Sequence, residues 1–144
     1  MRLTITTFVK QDWKQVTKGF TEELFLALNP PFPPVKLLQF DGCHKDDVVT
    51  LELNFLLFKQ TWQSLITSDE KGSDHFQFVD EGVKLPFFLK NWTHRHRIEK
   101  SSNGSRIIDD INFSTGTWLT DLIFWPLLYG QFAYRTPIYK RFFR

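Results

Sequence analysis

The chain has 144 residues and a mass of 17.1 kDa, the size of one domain that folds without disulfides or a structural metal. Its net charge of +2 provides no strong field for nucleic acid, and the lone Cys43 excludes an internal disulfide or a Cys-rich zinc site. The unusual figure is 17% aromatic, with 16 Phe, 5 Trp and 3 Tyr, so some rings are expected to line a cavity or an interface.

The N-terminus, Met1 to Phe8, alternates like a strand and lacks the apolar run of a signal peptide, so the cytoplasm is the expected compartment. The most apolar stretch, Leu122 to Tyr129, is too short to span a membrane and contains Pro126. Residues 2–9 are read as the first strand. Asp12 then caps a short helix that ends at Gly19, and a second short helix covers Glu22 to Leu28. The run Asn29-Pro30-Pro31-Phe32-Pro33-Pro34 stops it, because proline has no amide donor.

Strands follow at Val35 to Phe40, Val49 to Phe55 and Gln60 to Thr67, with 68–74 read as a polar turn. Phe76 and Phe78 begin another strand that Pro86 breaks, and a long strand starts near Trp92. Asn103-Gly104 is read as the tip of a two-residue hairpin. In that register His96 faces Ile111, His94 faces Phe113, Ile98 faces Asp109 and Arg97 faces Asp110. Alternation then puts Trp92, His94, His96, Asp109, Ile111 and Phe113 on one face.

After Gly116 the pattern turns helical. Leu119, Leu122, Ile123, Pro126, Leu127 and Phe132 form the expected inner stripe, and Pro126 is expected to kink or restart the helix. Strands joined by short turns, with helices segregated to the ends, make the class α+β with an antiparallel sheet.

The run Phe78-Val79-Asp80-Glu81, Leu85-Pro86-Phe87-Phe88 and Trp92-Thr93-His94-Arg95-His96 resembles the F-x-D, G-P-F and W-x-H-x-H motifs of the SRPBCC superfamily, with Leu85 where a Gly often stands. Asp109-Asp110-Ile111-Asn112-Phe113 is similar to that group's D-x-V-x-Y strand, and Tyr134-Arg135 lies near its usual F-x-x-R ending. The superfamily includes the START, Bet v 1-like and polyketide cyclase/dehydrase-like proteins. The resemblance covers most of the chain. It implies one domain over 1–144 with a helix-grip fold: a curved antiparallel sheet of about seven strands around a long C-terminal helix, two short helices after the first strand, and an apolar cavity between sheet and helix.

His94-x-His96 presents two imidazoles to one side of a strand, with Asp109 the nearest candidate third ligand. Two histidines without a clear third and fourth ligand favour hydrogen-bonded pocket residues, so no metal or other cofactor is expected. The same trio, His94, His96 and Asp109, is the candidate catalytic set, since a neighbouring carboxylate favours a charged imidazole that moves protons. No activated nucleophile accompanies it, which favours binding over catalysis. Asp80 and Glu81 point to opposite faces, and Asp80 is read as a strand-end hydrogen-bond acceptor. Cys43 is read as a loop thiol whose acidic neighbours raise its pKa.

The expected function is therefore a binding protein for a small hydrophobic ligand, aromatic, lipid or polyketide-like. Phe55, Trp62, Phe78, Trp92, Ile111, Phe113, Leu122 and Phe132 are the expected walls, and His94, His96 and Asp109 the polar recognition. The alternatives are a cyclase, aromatase or dehydrase using the histidines as acid and base, and a protein or membrane interaction module. Nucleic acid is not an expected partner. The basic, aromatic tail from Tyr134 to Arg144 is suited to transient membrane contact, or else packs its rings on the body. Oligomeric state is left open.

Overall fold

Alternating apolar and polar residues form seven strands in the computed structural model, which describes residues Met1–Arg144. They are β1 (Arg2–Val9), β2 (Val35–Phe40), β3 (Val48–Asn54), β4 (Lys59–Lys71), β5 (His75–Lys84), β6 (Asn91–Ser101) and β7 (Gly104–Ser114). The helices are α1 (Trp13–Lys18), α2 (Glu22–Ala27), α3 (Trp118–Ala133) and α4 (Arg135–Phe142). The strands form one antiparallel sheet in the order β1-β7-β6-β5-β4-β3-β2. The sheet curves around α3, and bulges in the β4–β5 and β2–β3 ladders bend it further. This is the expected helix-grip architecture.

Local chemistry sets the short helices. Asp12 accepts a hydrogen bond from the Lys14 amide at 3.0 Å and caps α1. The residues 29–34 end α2 as the proline run requires. β4 is longer than its apolar pattern: Ser68 to Lys71 pair with Phe76 to Val79, so the expected polar turn shrinks to 72–74. The added β4 residues 69–71 are exposed, while their β5 partners Phe76 and Phe78 are buried in the core.

The β6–β7 hairpin corrects the expected register by two residues. His96 faces Asp109, His94 faces Ile111, Ile98 faces Ile107 and Arg95 faces Asp110. A shift of two keeps every side chain on its expected face and changes only its partner. The cause is Gly104, which pairs with Ser101 instead of sitting in the turn. Its φ is +140°, and a Cβ there would collide with the Val9 carbonyl oxygen. The glycine serves the close approach of β1, not the turn. Arg97 pairs with Glu99 at 2.8 Å instead of Asp110, which Arg2 holds through two bonds of 2.8 and 2.9 Å.

α3 also differs from the expectation. It runs through Pro126 without a break, and the chain turns instead at Tyr134. Pro126 and Leu122 lie on the outer face, where water can serve the carbonyl that proline leaves unpaired. The expected inner stripe is largely the outer one. Leu119, Leu122, Ile123 and Leu127 are exposed, whereas Leu128 and Phe132 are buried and Phe124 half-buried. An almost uniformly apolar helix has no polar face to reveal its orientation.

Two apolar clusters close the space between sheet and helices. One joins Trp13, Phe20 and Leu24 to Phe78, Tyr139 and Phe143. The other joins Leu3, Trp92, Ile111 and Phe113 to Leu128 and Phe132. The tail rings of Tyr139 and Phe143 are thus core.

Gly104→Ala is expected to destabilise the protein by about 2 kcal/mol or more, from left-handed backbone plus collision with β1. Gly130→Ala, in helix with open space around its Cβ, is expected to stabilise by about 0.5–1 kcal/mol. Urea unfolding of the two variants checks both signs.

Candidate functional site

Between sheet and α3 lies a cavity of about 450 Å³, and 19 of its 29 lining residues are hydrophobic. The sheet contributes alternate residues. Trp62, Ser64 and Ile66 come from β4, Phe78 and Asp80 from β5, and Trp92, His94 and His96 from β6. The helical wall is Phe124, Leu127, Leu128, Gln131 and Phe132 of α3, with Arg135 at the start of α4.

Of the expected wall residues, Phe55, Trp62, Phe78, Trp92 and Phe132 line this cavity, as do His94 and His96. Ile111 and Phe113 do not. They belong to the apolar cluster under α3, one strand beyond the histidines. Leu122 is half exposed on the outer face of its helix. Asp109 sits behind the histidines, fully buried, and reaches the cavity only through them.

The polar floor consists of two crossed pairs. His94 Nε2 lies 2.8 Å from Asp109 Oδ1, and His96 Nε2 lies 2.7 Å from Asp80 Oδ2. A carboxylate only accepts, so each imidazole donates from Nε2. The rings stack with centroids 3.5 Å apart, and Phe78 stacks on His96 at 4.3 Å. Trp92 Nε1 donates to the other oxygen of Asp80 at 3.2 Å. Arg135 Nη1 stands 3.8 Å from Asp109 Oδ1, with its guanidinium over the Phe132 ring.

Asp80 and Arg135 are the members that the sequence reading left outside the site. Asp80 lies two residues after Phe78, so alternation alone puts both on one face. Arg135 was legible only as part of the basic tail and of the resemblance to an F-x-x-R ending. The break at Tyr134 turns it inward.

These contacts decide the charges. Burial raises the Asp109 carboxyl, but the His94 hydrogen bond and the nearby charges of His94, Arg135 and His96 outweigh it and hold it well below the usual range. Burial likewise raises Asp80, and the His96 hydrogen bond with the charges of both histidines brings it below its ordinary value. His96 goes the other way from the sequence expectation. Burial and then repulsion from His94 pull it down to about 4, against the attraction of the two carboxylates. Burial, then the Asp109 charge, push the Tyr139 hydroxyl up. Cys43 is buried, its thiol pushed up to about 12 by burial and then by Asp47 and Asp80, so it is no nucleophile.

Asp80, His94 and His96 bring three potential ligand atoms within 4.8 Å of one another. Imidazole lone pairs lie in the ring plane, and two stacked rings do not aim them at one ion. The Asp80–His96 separation is a hydrogen-bond length, so ligation would require both rings to turn out of their present contacts.

His96 binds its proton less readily in the folded chain than when unfolded. The unfolded state therefore takes up more protons between pH 6.5 and about 4, and stability falls as pH drops through that window. The loss is expected to be on the order of 2–3 kcal/mol. The two lowered carboxyls extend the loss as pH falls further below their unfolded values, near 4. Melting temperature against pH reads this slope, and His96→Gln is expected to flatten it between pH 6.5 and 4.

No family model and no curated protein matches the sequence. Solved structures do match in shape. The di-domain aromatase/cyclase StfQ of the steffimycin biosynthetic pathway is 13% identical with a TM-score of 0.73, over 99% of this chain and 50% of that one. The Zhui aromatase/cyclase from Streptomyces sp. R1128 is 12% identical with a TM-score of 0.69, over 96% and 90%. Protein Ms6760 from Mycobacterium smegmatis is 16% identical with a TM-score of 0.63, over 92% and 85%. Ara h 8.0201, 11% identical over 96% and 97%, has a TM-score of 0.60. At these identities the likeness is one of fold, and the chain has the Bet v 1-like helix-grip fold.

Proposed function

We propose that the protein binds a small hydrophobic ligand in the cavity between sheet and α3. The observation that carries this reading is an aromatic-lined space of about 450 Å³ with one polar floor, within the range of roughly 300–1,000 Å³ usual for small-molecule sites. Apolar walls supply the driving force, at about 25 cal/mol per Å² of buried area before association costs. The floor supplies orientation. Asp80, His94, His96 and Arg135 are polar residues gathered on an otherwise largely apolar lining, which suits a ligand with one polar end. His96 Nδ1 and Arg135 Nη1 are themselves buried and both stand 3.8 Å from Asp109 Oδ1, so they face the carboxylate behind the floor.

The cyclase or dehydrase reading has one observation in its favour, the His94–Asp109 pair at 2.8 Å, which orients an imidazole as general base catalysis requires. The aromatase/cyclases among the solved structures share the fold with this chain. Against it, His96 at about 4 is a weak base at neutral pH. Binding remains the reading the floor supports best.

Nile red, an uncharged apolar dye, is expected to bind the purified protein with a blue-shifted emission. Val49→Trp or Leu51→Trp, each filling the cavity wall, is expected to weaken it by about tenfold or more. Native mass spectrometry of freshly purified protein then reads any co-purifying small molecule. Dye binding unaffected by both substitutions would overturn the cavity as the site.

A further inference from the structure

The two ends of the sheet differ in chemistry. Strand directions put the β3–β4 tip (55–58), the β5–β6 connection (85–90) and the β7–α3 link (115–117) at one end. At the other end lie 10–12, 41–47, 72–74 and 102–103. That second end is ordinary surface, with Lys10, Asp12, Asp41, Lys45, Asp46, Asp47 and Asp74.

The first end carries large apolar side chains facing water. Leu57 is 96% exposed, Leu56 77%, Trp118 72% and Phe87 59%. The patch is continuous. Phe58 meets Phe87 at 5.6 Å, Phe87 meets Phe88 at 5.4 Å, and Phe88 stacks on Phe124 of α3 at 5.1 Å. From there the exposed face of α3 continues it through Leu119, Ile123 and Leu127. Packing does not explain Leu56. Its φ is +73°, a conformation that glycine or asparagine adopts far more readily, and its side chain points into solvent.

Cations lead here. Lys84 and Lys90 border the patch, both exposed and without an ion-pair partner, while Lys59 is paired with Glu52 at 3.6 Å. Asp121, the one acid of α3, is buried against Thr115, which donates to it at 2.6 and 2.7 Å. Apolar loops flanked by lysines complement an anionic lipid surface, in which leucine and phenylalanine enter the acyl boundary and lysines meet phosphates. The patch adjoins the cavity directly, since Phe55, Phe87, Phe88, Phe124 and Leu127 also line it. No helix is long and apolar enough to cross a membrane, so the contact is peripheral.

We propose that this end of the sheet, with Leu56, Leu57, Phe58 and Phe87 as the inserting residues and Lys84 and Lys90 as the flanking cations, docks on an anionic bilayer. The docked surface opens the cavity toward lipid. This deepens the binding reading by giving the ligand's route of entry, and rests on that reading for the route alone. For the C-terminal tail the sequence reading ranked membrane contact behind packing of its rings on the body. Burial of Ile138, Tyr139 and Phe143 removes the apolar half of that surface.

Co-sedimentation with phosphatidylcholine vesicles, with and without phosphatidylglycerol, tests the docking. Wild type is expected to sediment with the anionic vesicles. The double variant Leu56→Asp with Leu57→Asp is expected to lose about tenfold or more of that partitioning while keeping its melting temperature. Lys84→Glu with Lys90→Glu is expected to erase the preference for phosphatidylglycerol, and Lys140→Glu with Arg141→Glu to leave binding unchanged. Wild type left in the supernatant, or a leucine double variant that binds as well, would overturn the docking. So would a wild-type dimer that the same variant dissolves without vesicle binding, which would assign the face to a second copy. Nile red uptake separates the two readings. Docking without uptake would overturn the cavity alone, and uptake without docking would overturn the bilayer alone.

Discussion

Two carboxylates, Asp109 buried and Asp80 half-buried on the cavity lining, constrain everything around the cavity. Ionised, they cannot sit among apolar walls unless each finds hydrogen-bond donors and opposite charge. His96 and Trp92 meet the first, and His94 and Arg135 the second. These partners come from β6 and the start of α4, so the pairing links the middle of the sheet to the C-terminal segment. Removing either carboxylate would strand an imidazole, and removing either imidazole would strand a carboxylate. The floor is therefore rigid in a way the apolar walls are not.

The walls leave space because rings are awkward to pack. Trp62 meets Trp92 edge-on at 4.8 Å, and Phe132 meets His94 edge-on at 5.2 Å. Such contacts hold large side chains apart at fixed angles instead of interleaving them as branched aliphatics would. The curve of the sheet and the bulges of β4 and β5 widen the gap beneath α3. The aromatic excess thus serves two ends: dense packing around α1 and α4, and the lining of a cavity under α3.

The outer face of α3 joins the cavity to its surroundings. A helix apolar on all sides ordinarily lies inside a protein, yet this one has sheet on one side only. Its exposed leucines run on from those of the β3–β4 tip, so the apolar character of the cavity extends to the surface at its mouth. The acidic loops, with Asp12, Asp41, Asp46, Asp47 and Asp74, are at the far end.

Strand alternation, proline punctuation and the His94-x-His96 motif were legible from the residues because each is a local rule. They determine the order of elements, the α+β class, and the shared face of Trp92, His94, His96 and Asp109. The resemblance in 78–96 carried the helix-grip architecture. Tertiary structure alone decided the rest. Gly104 looks like a turn residue until β1 comes against it, so the partner of His96 was two places off. Arg135 joined the floor because the break at Tyr134 turns it toward Asp109 of β7, a long-range approach that no local pattern contains. The inner face of α3 was undetermined, since uniform hydrophobicity carries no phase. The sheet chose it, and the rejected face became the surface next to the cavity mouth.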